Sequence, residues 1–248
     1  RVGRDMRTYA IGDIHGHLDL LRVQHELIGR DMAQFGSAPV VHIGDLVDRG
    51  PNSRGVIEFL LAGVQSGLDW VVLKGNHDRL LTGFLDDPKR RDPAMRSDLS
   101  YLHPRIGGGA TLASYGIANA ADRPIAPVHA EAVTAIPATH RAFLQSLPDR
   151  FQRGDLIFVH AGLRPGIPLS QQSEDDLLWI RSLFLEDPRD HGALIVHGHT
   201  TIDTPTHYGN RLNLDSGAAY GGPLSAVVFE GHTAFHLTPA GRKPLLPR

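Results

Sequence analysis

The stretch VVHIGDLVDRG, residues 40–50, joins a short apolar run to a turn that carries three charged side chains. The apolar residues predict a buried β-strand, and the glycine that follows them lets the chain turn sharply. Asp45 is suited to hold a cation and Arg49 to hold an anion, while Asp48 between them has no evident structural role. This combination indicates a site that handles a phosphate group with the help of a metal ion.

Four other predicted strands end in the same way, with a side chain that can bind a metal. Asp13, Asn76 and His199 each follow a glycine that closes an apolar run, and His160 follows its apolar run directly. Ligands bind at the carboxyl ends of the strands in open α/β sheets. We therefore expect these side chains to meet at one edge of the fold.

The candidate ligands divide into two groups by their positions in the chain. Two of them lie two residues apart across a turn and can hold one cation, three can hold a second cation, and one carboxylate can bridge the two. These are Asp13 and His15 for the first ion, Asn76, His160 and His199 for the second, and Asp45 for the bridge. An oxygen and nitrogen set without sulfur suits Mn²⁺, iron or Zn²⁺. We expect two divalent ions, Mn²⁺ first, with iron, Zn²⁺ or Mg²⁺ as alternatives, clamping a phosphoryl group.

The composition limits the class of protein. The chain has 248 residues, 41% hydrophobic and 21% charged, which is typical of a globular α/β protein with a sizeable core. The formal net charge of -2 gives no broad basic surface for nucleic acid. Cysteine is absent, which excludes disulfides and thiolate metal sites. No apolar run reaches the roughly 20 residues of a membrane span. We expect a cytoplasmic protein with no membrane partner.

The order of predicted elements indicates parallel βαβ units in the first part of the chain. Strands are predicted from Arg7 to Ile11, Val40 to Ile43 and Trp70 to Leu73, with helices between them, the second capped by Ser53. Residues from about 79 to 150 are rich in proline and glycine, and they predict an irregular, partly helical insertion. We therefore interpret residues 1–248 as a single domain with this insertion.

The last third of the chain returns to short strands. A helix is predicted from Glu174 to Leu185 with Ser173 as its cap, and a hairpin turns at Glu230-Gly231-His232. The segment from Pro239 to Arg248 is basic and rich in proline, so it is predicted to be loose.

Taken together, these motifs resemble those of the calcineurin-like metallophosphoesterase superfamily. Within it, the chain is most similar to the phosphoprotein phosphatase family of serine/threonine phosphatases, in a bacterial-type branch. The resemblance runs from residue 12 to residue 200 and rests on five motifs in order: Gly12-Asp13-Ile14-His15-Gly16, Gly44 to Gly50, Gly75-Asn76-His77-Asp78, His160-Ala161-Gly162 and His197-Gly198-His199-Thr200.

The resemblance implies a fold of two packed mixed β-sheets flanked by helices, with a dimetal site at the strand carboxyl ends. It assigns the same six ligands to two metals with a bridging hydroxide, and it implies that His77 protonates the leaving oxygen while Asp48 orients that imidazole. The residues that it places around the substrate phosphate are Arg49, Arg181, Asn76 and, at the substrate rim, Tyr220, for which core packing is the alternative.

Two positions depart from the pattern of the family. Asp78 stands where eukaryotic members carry glutamate, and aspartate is common there in bacterial branches and in symmetrical diadenosine tetraphosphate hydrolases. Thr201 stands where broader metallophosphoesterases place another histidine, so the first metal has one fewer protein ligand. The second departure favours the phosphoprotein phosphatase branch.

Three functions follow from the resemblance. The first is a serine/threonine protein phosphatase, which acts as a phosphomonoesterase on a phosphorylated protein or a small phosphate ester, and Asp48 favours it. The second is a symmetrical dinucleoside polyphosphate hydrolase, which Asp78 and the compact insertion favour. The third is an inactive binding module on the same scaffold, which the complete set of ligands and His77 argue against.

Overall fold

The computed structural model describes residues 6–248 and places them in two β-sheets flanked by helices. Strands and helices are numbered separately in chain order. The six-stranded sheet has the order Gly241–Leu245 (β11), Thr233–Thr238 (β10), Ala226–Glu230 (β9), Arg7–Ile11 (β1), Val40–His42 (β2) and Trp70–Val72 (β3). The five-stranded sheet has the order Arg150–Arg153 (β4), Leu156–Val159 (β5), Leu194–His197 (β6), Arg211–Asn213 (β8) and Thr206–His207 (β7).

Helices cover the outer faces of both sheets. In the described residues they are Leu18–Phe35 (α1), Ser53–Gln65 (α2), Asn76–Asp86 (α3), Gly108–Ser114 (α4), Ile125–Ala135 (α5), Ala138–Ser146 (α6), Glu174–Trp179 (α7) and Ser182–Leu185 (α8). Among residues 6–248, none of the helices combines the length and the apolar character needed to cross a bilayer.

Both sheets are mixed. Strands β1, β2 and β3 are parallel, and so are β5, β6 and β8, whereas β9, β10 and β11 of the first sheet and β4 and β7 of the second pair antiparallel. Because parallel strands end at the same edge, the turns after β1, β2, β3, β5 and β6 lie together. This architecture confirms the predicted fold class of two mixed sheets flanked by helices.

Side chains from the two sheets interdigitate in a shared apolar layer. Val41 and Phe229 of the first sheet belong to one buried cluster with Phe158 and Val196 of the second. The rings of Phe158 and Phe229 meet edge to face, with centroids 6.0 Å apart. Burial of apolar area of this kind is the main stabilising term of the fold, and here it fixes the strand ends of one sheet against those of the other.

The insertion packs on the helical side of the first sheet. Leu112, Val128 and Leu144 share one buried cluster with Leu60 of α2. The insertion is more helical than predicted, since α4 and α5 were not expected from its sequence. The interpretation of the chain as one domain stays a prediction, and this shared core supports it.

The predicted cap of α2 is wrong by one residue. Asn52 caps the helix, because its side chain accepts a hydrogen bond of 2.9 Å from the backbone N–H of Gly55. The hydroxyl of Ser53 is fully buried and instead accepts from the backbone N–H of Asp48, at 3.1 Å. Ser53 therefore supports the turn that carries Asp48.

The predicted helix from Glu174 to Leu185 is broken in the middle, although Ser173 does cap its start. The carbonyl of Leu177 accepts from Ala161 N–H at 2.8 Å, which ties the end of α7 to the turn after β5. Ile180 then adopts an extended backbone conformation. The break leaves Arg181 exposed in the turn between α7 and α8.

The prediction of a loose C-terminal segment is also wrong, because β11 extends the first sheet there. Arg242 on this strand donates to the carboxylate of Asp31 at 2.7 Å, and its guanidinium lies 3.8 Å from the ring centre of Phe35. Contacts with α1, more than 200 residues earlier, thus outweigh the local preference of a basic, proline-rich sequence.

Candidate active site

The turns at the strand ends bring four of the predicted ligands, together with the predicted general acid His77, into two overlapping groups. One group is His15, Asp45 and His77, and the other is Asp45, His160 and His199; within each group the candidate ligand atoms lie within 4.8 Å of one another. All five side chains are buried. Asp45 belongs to both groups, as expected for a carboxylate between two ions.

Asn76 lies in the middle of the second group. One terminal atom of its amide is 2.8 Å from Nε2 of His160 and 3.1 Å from Nδ1 of His199. The same atom is 3.2 and 3.3 Å from the two carboxylate oxygens of Asp45. Atoms of His160, His199 and Asp45 that carry lone pairs therefore surround this amide atom. Together they form the kind of oxygen and nitrogen donor set that a divalent cation requires. The residues therefore fit a metal ion.

Two of the imidazoles are held in the tautomer that a metal ligand needs. Nδ1–H of His15 donates to the carbonyl of Val47, and Nδ1–H of His160 donates to the carbonyl of Ile43, both at 2.9 Å. Each ring then directs Nε2 toward Asp45, at 3.3 Å. Backbone carbonyls that orient ligating histidines in this way are a common feature of metal sites.

Asp13 lies at the same edge but outside both ligand groups. Its carboxylate accepts a hydrogen bond from the backbone N–H of His199 at 3.2 Å, and both residues line the same cleft. It is buried with 2% of its surface exposed. Asp13 is thus brought to the site as predicted, while the geometry alone does not group it with His15.

The backbone at this edge is strained. Six residues other than glycine have positive φ in the described part of the chain, and five of them are predicted site residues: His15 (44°), Asp45 (52°), Asp48 (76°), Arg49 (70°) and His199 (67°). Side chains other than glycine rarely adopt this conformation, and where they do the strain often accompanies function. The strained residues therefore lie at the edge of the fold where the candidate site forms.

Two glycines permit the close approach of backbone to carboxylate. A Cβ at Gly75 would lie 2.1 Å from Oδ1 of Asp45, and a Cβ at Gly198 would lie 2.1 Å from Oδ1 of Asp13. Asp78 then fixes the Asp45 turn, because its carboxylate accepts from the backbone N–H groups of Asp45 and Gly75 at 3.0 and 2.7 Å. The aspartate at position 78 is thus a structural brace for the site.

The electrostatics of the site are those of closely packed opposite charges. Burial, reinforced by the charge of Asp215, raises the pKa of Asp13 well above its usual range. Burial would lower the pKa of His160, but the charges of Asp45 and Asp13 outweigh it and raise the pKa to about 10. For Asp45, burial is outweighed by His160 and His77, so its pKa falls well below the usual value. Carboxylates that attract protons to these rings attract a divalent cation for the same reason.

His77 and Asp48 form the pair that the resemblance implied. Nδ1 of His77 lies 2.7 Å from Oδ2 of Asp48, and both side chains are buried. The second oxygen of Asp48 accepts from the hydroxyls of Tyr101 and Thr111, at 2.6 and 2.7 Å. Asp48 therefore has one oxygen for the imidazole, while the insertion holds the other.

Three hydroxyl groups that support Asp48 were not predicted to belong to the site: those of Tyr101, Thr111 and Ser53, the last of which was predicted only as a helix cap. They lie 53, 63 and 5 residues from Asp48 in the chain. No motif or spacing marks the two insertion residues, which follow no regular pattern. The buried serine at the start of α2 could have been found only through its place directly after the Gly44–Gly50 motif.

Arg49 is held on two sides. Its guanidinium donates to the carbonyl of Arg105 at 3.0 Å and lies 5.0 Å from the ring centre of Tyr220. Tyr220 is 66% exposed, so the alternative of core packing is wrong, and its ring lies at the rim of the site. A planar guanidinium fixed in this way presents its remaining N–H groups for an anion.

Arg181 lines the same cleft from the turn between α7 and α8. Burial, together with the charges of His160 and Arg181, holds the pKa of His199 well below its usual range, so His199 is a neutral ring with a lone pair available. His197 is also buried, but Arg211 donates to its Nε2 at 3.1 Å, so this ring has a structural partner at the end of β6.

The site opens into a cleft of about 930 Å³. One wall is formed by the strand-end residues, and the other by the insertion and the turn before β9. The insertion side includes Met95, Leu99, Leu102, Arg105, Ile106 and Ala120. The cleft is therefore polar and metal-competent at its base and largely apolar along its insertion wall.

Comparison with known proteins is consistent with this geometry. Residues 6–235 match the family model described as calcineurin-like phosphoesterase. The chain is 26% identical to an asymmetrical bis(5'-nucleosyl)-tetraphosphatase of Anoxybacillus flavithermus over 241 residues, which cover 88% of this chain and 89% of the relative. A similar relative in Geobacillus thermodenitrificans is 27% identical over 249 residues, covering 90% of this chain and 91% of that protein.

Two crystal structures share the fold. A candidate diadenosine tetraphosphatase has a TM-score of 0.60 at 25% identity, covering 97% of this chain and 94% of that one. A cold-active protein-tyrosine phosphatase from a psychrophilic Shewanella has a TM-score of 0.63 at 17% identity, covering 97% of this chain and 80% of that one. At 17% identity the second likeness concerns the fold alone.

Proposed function

The chain belongs to the calcineurin-like phosphoesterase family, and we propose that it hydrolyses dinucleoside polyphosphates at the cleft between the strand ends and the insertion. The observation that carries this proposal is the large cleft itself. It joins the ligand cluster and the His77–Asp48 pair to a long, partly apolar wall. A phosphate chain can lie at the base while a nucleoside lies against that wall.

Two divalent ions would be held by the strand-end residues. The first would be bound by Asp13, His15 and Asp45, and the second by Asp45, Asn76, His160 and His199. When bound, such ions supply Lewis-acid activation of water and of the phosphoryl group. Mn²⁺ as the native ion and the cytoplasm as the location stay predictions.

The remaining residues act on the substrate, either directly or through a neighbouring side chain. We assign to His77, whose Nδ1 lies 2.7 Å from Oδ2 of Asp48, the transfer of a proton to the leaving oxygen, and to the Asp48 carboxylate the stabilisation of the cationic ring. Arg49, Arg181 and the amide of Asn76 bind the phosphoryl oxygens, whose negative charge their donors stabilise. Tyr220 holds the face of Arg49 at the rim.

A serine/threonine protein phosphatase, the first choice from the sequence, is the second candidate. The specific observation that favours it is the His77–Asp48 pair, since a protonated imidazole suits the poor leaving group of an alkyl phosphate ester. The first candidate is favoured by the apolar wall of the cleft and by relatives named bis(5'-nucleosyl)-tetraphosphatase that match about nine-tenths of the chain. The order from the sequence is therefore reversed.

Competing substrates separate the two candidates. With the protein loaded with Mn²⁺, we expect kcat/KM for diadenosine tetraphosphate to exceed that for a phosphoserine peptide by about tenfold or more, or about 1.4 kcal/mol in transition-state binding. A preference of that size for the phosphopeptide would establish the second candidate instead. If the protein cleaves neither substrate, nor an aryl phosphate, with any divalent ion, the inactive binding module is the function that remains.

A further inference from the structure

We propose that Arg105 binds a phosphate group beyond the one that is attacked, so that the cleft selects polyphosphate chains over monophosphates. This inference rests on the proposed function, because it assigns a second phosphate position in the same cleft. It concerns a residue of the insertion that belongs to none of the strand-end motifs.

The first observation is that three guanidinium groups line the cleft without a carboxylate partner. Among residues 6–248, the side chains of Arg49, Arg105 and Arg181 make no ion pair, although all three border the cleft. The insertion contains arginines that are paired, such as Arg123 with Glu131 at 2.5 Å. Unpaired cations on one cleft attract an anion, and more than one of them attracts a long anion.

The second observation is that hydrogen bonds hold the backbone of Arg105 next to Arg49. The carbonyl of Arg105 accepts from the guanidinium of Arg49 at 3.0 Å, and the backbone N–H of Arg105 donates to Nδ1 of His103 at 3.1 Å. Two residues later, the carbonyl of Gly107 accepts from the backbone N–H of Arg49, also at 3.1 Å. The main chain of Arg105 thus belongs to the frame that positions the phosphate-binding arginine.

The backbone of Arg105 is hydrogen-bonded within the protein, whereas its side chain is available to a ligand. It is exposed, and among the described residues its guanidinium donates no hydrogen bond to protein, whereas that of Arg49 is already committed to a carbonyl and an aromatic ring. All five N–H donors of Arg105 remain for a ligand in the cleft. A second phosphate of the same chain is the anion that would lie next to one held by Arg49.

The charge balance supports a second phosphate. A single phosphoryl group at the base would already be matched by Arg49 and Arg181 and by the ions that the ligand groups would hold, so it does not require a third guanidinium. Partly exposed apolar side chains of the same wall, Met95 and Leu99, offer a surface for an uncharged group at the far end of the chain. The substrate class is therefore an organic polyphosphate.

Inorganic ligands test the position of Arg105 without assuming a substrate. Phosphate and tripolyphosphate are titrated into the Mn²⁺-loaded protein by calorimetry and as competitors of aryl phosphate hydrolysis. We expect Arg105→Ala to weaken tripolyphosphate binding about tenfold more than phosphate binding. Arg105→Lys should recover part of this loss, because it keeps the charge but not the planar fork. Arg96→Ala, an exposed arginine of the same segment that does not line the cleft, is the matched control.

The outcomes separate this inference from the proposed function. Equal losses for phosphate and tripolyphosphate, or no loss for either, would overturn the role of Arg105. So would a loss of the same size in Arg96→Ala. If the wild-type protein hydrolyses no phosphate ester, the proposed function fails, while the ratio of the two binding constants from calorimetry still decides whether Arg105 selects the longer chain.

Discussion

The two walls of the cleft are built from opposite kinds of residue. The strand-end wall presents carboxylates and imidazoles that are almost fully buried, such as Asp45 with 2% of its surface exposed and His160 with none. The insertion wall presents partly exposed apolar side chains, such as Met95 and Leu99, and the exposed guanidinium of Arg105. One wall rests on the ends of five strands, while the other comes mostly from the irregular segment between α3 and α4, with residues of α4 and of the turn after it.

This difference separates two tasks. Buried charged groups need the rigid support of strands and hydrogen-bonded turns, because an unpaired charge in the interior is costly. We therefore expect the reaction chemistry to take place at the strand-end wall. Partly exposed apolar groups tolerate exchange, so the insertion wall is suited to choosing which phosphate compound is bound. The two walls meet at Asp48, which binds His77 on one side and two hydroxyls of the insertion on the other.

The largest effect is expected on the strand-end wall. His77→Asn should lower kcat by about 10²–10⁴-fold, the usual contribution of a general acid, while the bound metal stays unchanged. Measuring kcat and metal content on the same sample distinguishes the loss of a general acid from the loss of a metal ligand. His232→Asn, on the exposed hairpin, is the control. Loss of metal from the His77 variant would show that His77 is a ligand and would break the assignment.

The stability of the fold beneath the strand-end wall should decrease at acidic pH. Burial lowers the pKa of His25 to about 4, and burial together with the charge of His25 lowers that of His42 to about 3. Below the unfolded value near 6.5, the unfolded chain binds protons that the folded chain does not. The free energy of unfolding should therefore fall by about 1.4 kcal/mol per pH unit for each histidine between pH 6 and 4.

Denaturant unfolding at a series of pH values measures this slope. His25→Leu should make it shallower, since the ring of His25 contacts the apolar rings of Trp70 and Phe59 and its replacement removes one protonation site. His232→Leu, on the exposed hairpin, is the control. Parallel slopes for wild type and His25→Leu would show that acid sensitivity arises elsewhere.

A smaller effect is expected where the two walls meet. Tyr101→Phe removes one of the hydrogen bonds to Asp48, and we expect kcat to fall about tenfold, because bonds to charged groups are worth roughly 1.5–3 kcal/mol. Tyr115→Phe is the matched control, since Tyr115 is also buried in the insertion but bonds to His140.

Tyr101 acts through Asp48 if the two substitutions are not additive. In the Asp48→Asn background, Tyr101→Phe should have little further effect on kcat. Equal losses in Tyr101→Phe and Tyr115→Phe would mean that the insertion supports only the stability of the fold, and the separation of tasks would not hold.

The strand-end wall was largely predictable from the sequence. An apolar run followed by glycine and a metal-competent side chain marks a strand end, and that local pattern sufficed to place Asp45, Asn76 and His199 together. The pairing of Asp48 with His77 came from the resemblance to a family, because nothing in the spacing of 29 residues indicates contact.

The insertion wall was not predictable for a physical reason. Tyr101 and Thr111 reach Asp48 through tertiary packing; Tyr101 lies outside regular structure, and Thr111 lies in the short helix α4, which was not predicted from the sequence. The C-terminal strand β11 was missed in the same way, because Arg242 and Asp31 are 211 residues apart. Local patterns predict what the backbone does nearby, whereas these contacts depend on how distant segments pack.

The central claim is that Asp45 joins two metal ions at the strand ends. It is tested most directly by the stoichiometry and affinity of Mn²⁺ binding, measured by equilibrium dialysis and elemental analysis on wild type and Asp45→Asn. We expect two ions per wild-type chain and weakened binding of both in the variant, with circular dichroism unchanged. A wild-type chain that binds one ion or none, or a variant that keeps both ions at wild-type affinity, would contradict the account.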